Sequence, residues 1–296
     1  MSTHTATVPF RTGETVSTIV PPPASDGHGS KASFNWSAVA ASGARYGCYT
    51  GRRDLLALEK MAAFQGILFD FYNTLGTRRD PDECVEATAL IEFGFAVDVA
   101  AVRHAVGSVN NRMNGAEPID HSAHSLSRAD YIEYQRGNHA GWLREMGVDP
   151  YHLGLFERLA DLWDDPSRIH LFDDTLPVLT SLRAAGFRLG LVSNWSWDLH
   201  AVLESTGLAP LLDCVVISAR SGYRKPHSAI YEKGLGAIAL PAHAVLFVGD
   251  HPHADIEGPL GAGMTPVHID RFGESPVIPG VTRITSLYEV VGILTG

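Results

Sequence analysis

The chain has 296 residues, 45% of them hydrophobic and 19% charged, with 23 Lys+Arg against 33 Asp+Glu and a formal net charge of −10. That is enough chain for one medium globular body or two small domains. So acidic a balance excludes the basic face that sequence-independent nucleic-acid binding requires, and an anionic membrane surface would repel it, which leaves small molecules as the expected partners.

In chain order, residues 1–60 come first and read unlike the rest. Ser, Thr, Gly and Ala dominate, Pro21, Pro22 and Pro23 run together, and no apolar periodicity lasts two turns. The stretch is expected to be mostly disordered, with at most a weak helix from Arg53 to Met61. Few arginines and no repeating amphipathic stripe speak against a transit peptide, and Met61 is an alternative start for the folded chain. This stretch carries six basic and four acidic side chains, so the 236 residues after it hold a net charge of −12. No run approaches the roughly 18 apolar residues of a membrane span and no secretory leader opens the chain, so a cytoplasmic protein is expected. Cys48, Cys84 and Cys214 are far apart, odd in number and without metal-ligand spacing. Cys84 and Cys214 are expected to be ordinary buried thiols.

Short β-rich runs then occur at Gly66–Phe71, Phe187–Val192, Asp213–Ile217, Val245–Val248 and Pro266–Ile269, most of them flanked by helical apolar spacing. The alternation predicts an α/β fold, a parallel sheet with helices on both faces. Between the first two runs, Cys84–Val109, Arg128–Gly147 and Tyr151–Trp163 show i, i+3, i+4 apolar recurrence. A crossover that long predicts an inserted helical cap over the carboxyl ends of the strands, spanning residues 79–167, with 61–78 and 168–296 forming the core.

The chemistry-bearing residues gather at the predicted strand ends. Asp70 directly follows an apolar strand in Asp70-Phe71-Tyr72-Asn73-Thr74-Leu75, where its oxygens face the crevice as a nucleophile or metal ligand. The next strand ends in Ser193-Asn194, a hydroxyl and a backbone N–H suited to phosphate or carboxylate oxygens. Gly222-Tyr223-Arg224-Lys225-Pro226 puts an ammonium in a rigid loop, able to neutralise an anionic substrate. Gly249-Asp250 ends a further strand, with Asp255 five residues on; together with Asp70 these carboxylates suit Mg²⁺. Each feature alone also has an ordinary explanation as a turn, a helix cap or a solvated lysine. Four strand tips together are harder to explain that way.

In order, context and spacing, this set resembles the haloacid dehalogenase-like (HAD) hydrolase superfamily, in the subfamily with a helical cap between its first two motifs. The resemblance implies a Rossmann-like core in which Asp70 attacks phosphorus or carbon and water resolves the covalent intermediate. It implies Ser193 and Lys225 as catalytic partners, with Tyr72, Thr74, Ser193, Asn194 and Lys225 around the substrate. It also implies Mg²⁺ held by Asp70, Asp250, Asp255 and the backbone carbonyl of Tyr72. Tyr72 itself departs from the pattern: the family's phosphatases usually carry a second Asp there as general acid, whereas its dehalogenases commonly carry Tyr. Gly249-Asp250 with Asp255 points the other way, because dehalogenases need no metal. Weighing the two, the expected activity is Mg²⁺-dependent phosphate-ester hydrolysis through phospho-Asp70, biased toward good leaving groups. The alternatives are a 2-haloacid dehalogenase and a protein that binds phosphorylated ligands with little turnover.

Other residues are set lower. His251 and His253 are expected to be exposed loop histidines, and His121 and His124 to lie on the surface. Trp195 and Trp197 serve equally as site wall or as packing, and Tyr131, Tyr134 and Trp142 are expected in the cap core. Among Arg78, Arg79, Arg103 and Arg112, no spacing selects one for the substrate.

Overall fold

The apolar run Gly66–Phe69 is buried along its whole length, as a central strand covered on both faces must be. The computed structural model describes residues 64–113 and 115–295. The expectations for residues 1–60, Cys48 and a start at Met61 lie outside the described residues. The strands in chain order are β1 (Gly66–Phe69), β2 (Gly76–Arg78), β3 (Ile119–Asp120), β4 (Ile169–Leu171), β5 (Arg188–Ser193), β6 (Cys214–Ile217), β7 (Tyr223–Arg224), β8 (Val245–Gly249), β9 (Thr265–Ile269) and β10 (Thr282–Ile284). Six of them form one sheet in the order β10-β9-β8-β1-β5-β6. Every pairing within it is parallel. Strand β10, short and flanked by loop, is not anticipated from the sequence.

The helices are α1 (Asp82–Glu92), α2 (Val99–Met113), α3 (Arg128–Glu145), α4 (Leu155–Trp163), α5 (Thr175–Ala184), α6 (Leu199–Ser205), α7 (Ser218–Ser221), α8 (Ser228–Ile238), α9 (Gly258–Gly261) and α10 (Tyr288–Thr295). Alternate residues of β1 enter different cores, as the two-residue period of a strand requires. Ile67 and Phe69 join Val178, Leu179 and Leu182 of α5 and Val290 and Leu294 of α10, whereas Leu68 joins Ile230, Tyr231 and Ile238 of α8. Each such buried side chain contributes about 1.5–3 kcal/mol relative to exposure.

Helices α1 to α4 fill the gap between β1 and β5 and enclose an apolar cluster of their own, with Leu90, Val102, Leu143, Phe156 and Leu159 at its centre. The long helical run expected over Cys84–Val109 is broken: Gly94 takes a left-handed conformation at φ 81°, and the chain restarts as α2 only at Val99. The run from Tyr151 is helical only from Leu155, because left-handed Gly154 precedes it. Ser127 caps α3, its hydroxyl oxygen accepting from the Asp130 N–H at 3.1 Å. Around this insert, β2 pairs antiparallel with β4, so its entry and exit lie side by side. A second antiparallel pair joins β3, between α2 and α3, to β7 immediately before Lys225.

The cysteines differ from expectation, since Cys84 and Cys214 are only half-buried. Among the described residues no helix is long and apolar enough to cross a membrane.

Candidate active site

Asp70 sits at the carboxyl end of β1, where the chain turns sharply. The Phe71 carbonyl accepts from the N–H groups of Thr74, Leu75 and Gly76. Asn73 bears the positive φ of 55° that closes this turn, a conformation Asn tolerates better than most residues. Its side-chain oxygen accepts from the Thr77 hydroxyl at 3.0 Å.

At the ends of three neighbouring strands, the side chains converge. Lys225 Nζ donates to Asp70 Oδ1 and to Asp255 Oδ1, each at 2.7 Å, and the Ser193 hydroxyl donates to the same Asp70 oxygen at 3.0 Å. Asn194 lines the crevice, and its side chain is already engaged. Its amide clamps the backbone of Lys225, accepting from its N–H at 2.8 Å and donating to its carbonyl at 3.0 Å. Asp255 is carried on a π-helical turn, Pro252–Glu257, and its second oxygen accepts from the His251 N–H at 2.9 Å. Gly249 is required beside it: a side chain there would bring its Cβ within 2.5 Å of that of Asp255. His268 on β9 holds Asp250 from behind, its Nε2 lying 3.1 Å from the Asp250 carbonyl oxygen.

Asp70, Asp250 and Asp255 form a cluster whose oxygens lie within 4.8 Å of one another. Burial pushes the Asp250 carboxyl well above the ordinary range, with the charges of Asp255 and Asp70 adding to it. Burial also pushes Asp255 up to about 6, against the opposing charge of Lys225. Burial works against the Lys225 ammonium too, but Asp255 and Asp70 outweigh it and hold its pKa above the usual lysine value. Crowded, buried carboxylates of this kind are what a hard divalent cation relieves, and three oxygen donors fit Mg²⁺.

Above the cluster lies a cavity of about 310 Å³. Asp70, Tyr72, Asn194, Lys225, Asp250 and Asp255 line its floor, and Glu86, Asn110, Tyr131, Gln135, His139 and Trp163 from the helical insert form its roof. Arg78 and Arg224 stand in the wall. The Arg78 guanidinium lies 5.8 Å from the Tyr72 ring centre and 5.3 Å from that of Trp195. Asp164, after α4, accepts from the Trp195 indole at 2.8 Å, from the Ser196 hydroxyl and from the Asp198 N–H, tying the insert to the β5 loop.

Two residues expected around the substrate, Thr74 and Ser193, do not line the cavity. Thr74 is fully buried and absent from the cavity wall, because its carbonyl is gripped by the Arg271 guanidinium and the turn is drawn inward. Ser193 is buried as well, with its hydroxyl turned onto Asp70. His121, expected on the surface, is buried, stacked on Tyr134 with ring centres 5.0 Å apart. Burial pulls its pKa down to about 4, with Arg224 adding to the effect. His253 is exposed beside Glu257, whereas His251 lines the cavity. Of the four weighed arginines, Arg78 faces the cavity; Arg103 pairs with Glu83 and Arg112 with the Asn138 carbonyl. Glu86, Gln135, His139 and Arg224 are site-facing residues the sequence reading passed over. For Gln135 and His139, four-residue spacing from Tyr131 was the available signal.

A family model described as haloacid dehalogenase-like hydrolase matches residues 64–263. The chain belongs to the HAD-like hydrolases. This hydrolase is 24% identical to human haloacid dehalogenase-like hydrolase domain-containing protein 3 over 201 residues, 67% of this chain and 78% of that one. It is 28% identical to the pyrimidine 5'-nucleotidase YjjG of Escherichia coli over 170 residues, 55% of this chain and 72% of that one. Among solved structures, the putative HAD-hydrolase YfnB of Bacillus subtilis, bound to magnesium, aligns over 79% of this chain and 100% of its own at 20% identity and a TM-score of 0.61. The L-2-haloacid dehalogenase RSc1362 aligns over 79% of this chain and 100% of its own, at 20% identity and a TM-score of 0.58. Both neighbours share the fold, a Rossmann-like α/β sheet.

Proposed function

We propose that this HAD-like hydrolase is a Mg²⁺-dependent phosphomonoesterase, with 61–78 and 168–296 as its catalytic core and 79–167 as a cap. The carrying observation is the cluster of Asp70, Asp250 and Asp255, the first and last buried and Asp250 half-buried. Displacement of halide from carbon has no use for two further carboxylates beside the nucleophile, whereas a phosphoryl group does. Asp70, Asp250 and Asp255, with the Tyr72 carbonyl, would hold Mg²⁺, which when bound neutralises charge on the phosphoryl oxygens.

The chain's own groups supply the rest. Asp70 attacks phosphorus as the bond to the leaving oxygen breaks, and water then attacks that phosphorus to free phosphate and regenerate the carboxylate. Lys225 and Ser193 hold the Asp70 carboxylate by one oxygen and aim it. Asn194 fixes the lysine backbone, and residues of the insert form the roof over the site. No second Asp stands at position 72, so leaving groups that depart without a proton are favoured. The same Tyr72 is what favours the second reading, a 2-haloacid dehalogenase.

Phosphate release from an aryl and an acyl phosphate, with Mg²⁺ and with chelator, tests the reading beside Asp70→Asn. Metal-dependent turnover that falls about 10³-fold or more in the variant is the expected result. Chelator-resistant halide release from a 2-halo acid, with no phosphate release, would replace this reading by the dehalogenase one.

A further inference from the structure

The loop that carries Asp250 and Asp255 is held by its backbone from two sides. Within the loop, Asp255 closes on His251: its N–H donates to the His251 carbonyl at 2.7 Å, and its carboxylate accepts from the His251 N–H at 2.9 Å. Two further carbonyls are engaged from outside. The Asp250 carbonyl lies 3.1 Å from Nε2 of His268 on β9, in the strand pair that sets Gly249 beside His268. The Ala254 carbonyl, inside the π-helical turn and one residue before Asp255, accepts from the Tyr231 hydroxyl of α8 at 2.6 Å.

Both donors are fixed. A carbonyl only accepts, so the His268 ring carries its proton on Nε2. Burial, with the charges of Asp255 and Asp70 adding to it, pushes the Tyr231 hydroxyl above the ordinary tyrosine value, so it keeps its proton. Neither side chain lines the cavity, so each can bear on the chemistry only through the backbone it holds. Packing alone does not account for their polar atoms. Tyr231 is fully buried in the cluster of Leu68, Ile230 and Phe247, where a phenylalanine would fill the same space with no polar group to bury. His268 is 1% exposed, and its Nδ1 has no partner among the described residues, a cost an apolar side chain would avoid. Gly258 is what admits the tyrosine: a Cβ there would come 2.0 Å from the Tyr231 hydroxyl oxygen.

We propose that Tyr231 and His268 are positioning residues for the metal site: by fixing the Ala254 and Asp250 carbonyls they set the spacing of the Asp255 and Asp250 carboxylates, and so favour Mg²⁺ over a larger divalent cation. The proposal rests on the Mg²⁺-dependent reading above. Mg²⁺ demands near-ideal octahedral oxygens at about 2.0–2.1 Å, whereas Ca²⁺ accepts flexible geometry at about 2.3–2.6 Å. A loop freed to shift therefore loses Mg²⁺ more than Ca²⁺. Partners one layer out from the ligands act on a metal in this way, by orienting the groups that touch it.

Calorimetry at pH 8 tests the proposal, titrating the metal-free full chain with Mg²⁺ and, separately, with Ca²⁺. Tyr231→Phe removes one oxygen and keeps the ring. It is expected to raise the Kd for Mg²⁺ about tenfold and that for Ca²⁺ less than about threefold. His268→Leu should act in the same direction, and His268→Gln, whose amide N–H reaches as far as Nε2, should return the Kd for Mg²⁺ close to that of the wild type. The Mg²⁺ concentration that half-saturates aryl phosphate turnover should move in step with Kd. If His268→Leu fails to fold, Tyr231→Phe carries the test. A Kd for Mg²⁺ unmoved in the folded variants, an equal rise for both cations, or no recovery with glutamine would overturn the proposal, while Mg²⁺-dependent aryl phosphate turnover in the wild type leaves the phosphomonoesterase reading standing. No Mg²⁺ binding by the wild type would remove both.

Discussion

Lys225 Nζ and Asp255 Oδ1 lie 2.7 Å apart with both side chains 1% exposed, and the same ammonium reaches Asp70 at an equal distance. A charge buried this deeply persists only because its partners are buried with it. The lysine therefore has a structural task besides its proposed chemical one, holding Asp70, the proposed nucleophile, and a metal-ligand candidate together.

Removing the ammonium strands both carboxylates. Lys225→Met is expected to destabilise the protein by about 3–5 kcal/mol, measured by urea unfolding in the absence of metal. Added Mg²⁺ should recover part of that loss by replacing the missing positive charge. An unchanged urea midpoint would mean the pair contributes little.

Metal and protons compete for the same oxygens. Burial, with Asp70 adding to it and Lys225 opposing, sets Asp255 at about 6 in the fold, above its unfolded value. In metal-free protein its stabilising share is thus present at low pH and lost as pH rises through about 6. Mg²⁺ needs the charged carboxylates, so it should raise Tm clearly at pH 8 and much less at pH 5. An equal rise at both would place the metal elsewhere.

The β3–β7 pair brings the insert onto the lysine loop at Gly222. That residue has φ 83°, and a Cβ there would come 2.6 Å from Ser122 Cα. Gly222→Ala should cost about 1–3 kcal/mol of stability and lower kcat by disturbing Lys225 three residues on, read from unfolding and from aryl phosphate turnover. Normal turnover would show that the β3–β7 pairing does not set the position of Lys225.

Placing a carboxyl beside the proposed nucleophile, Asp70, tests the leaving-group proposal. Tyr72→Asp should raise hydrolysis of alkyl phosphates more than that of aryl phosphates, by up to about 10²-fold. Equal gains in parallel assays would count against it.

The strand-end residues were legible because burial and turn chemistry leave local marks: Asp70, Ser193, Asn194 and Asp250 come at the ends of apolar runs, Lys225 and Asp255 stand in the loops beyond, and all six converge as neighbours. Their partners within the site were less so. Asn194 reads as a backbone donor to substrate oxygens, but the clamp its side-chain amide puts on the Lys225 backbone is a contact across 31 residues with no local signature. Arg271 draws Thr74 inward across 197 residues, and no pattern around either announces it. His121 reads as surface because it stands in a Ser- and His-rich stretch. Stacking on Tyr134 and the backbone bond of its N–H to Gly222 bury it instead. Helix and strand periods report which face is covered, but not by which distant residue.

The antiparallel pairing of β2 with β4 sets Arg78 opposite Ile169, so the chain departs for the helical layer and returns at one seam. A detour that closes on itself adds little to the cost of assembling the sheet, because loop-closure entropy grows only slowly with length. The insert is in this sense a pluggable module: its helices can lengthen, shorten or be exchanged while β1 and β5 keep their register. What constrains such exchange is the second seam at β3 and β7, which any replacement must rebuild to keep Lys225 in place.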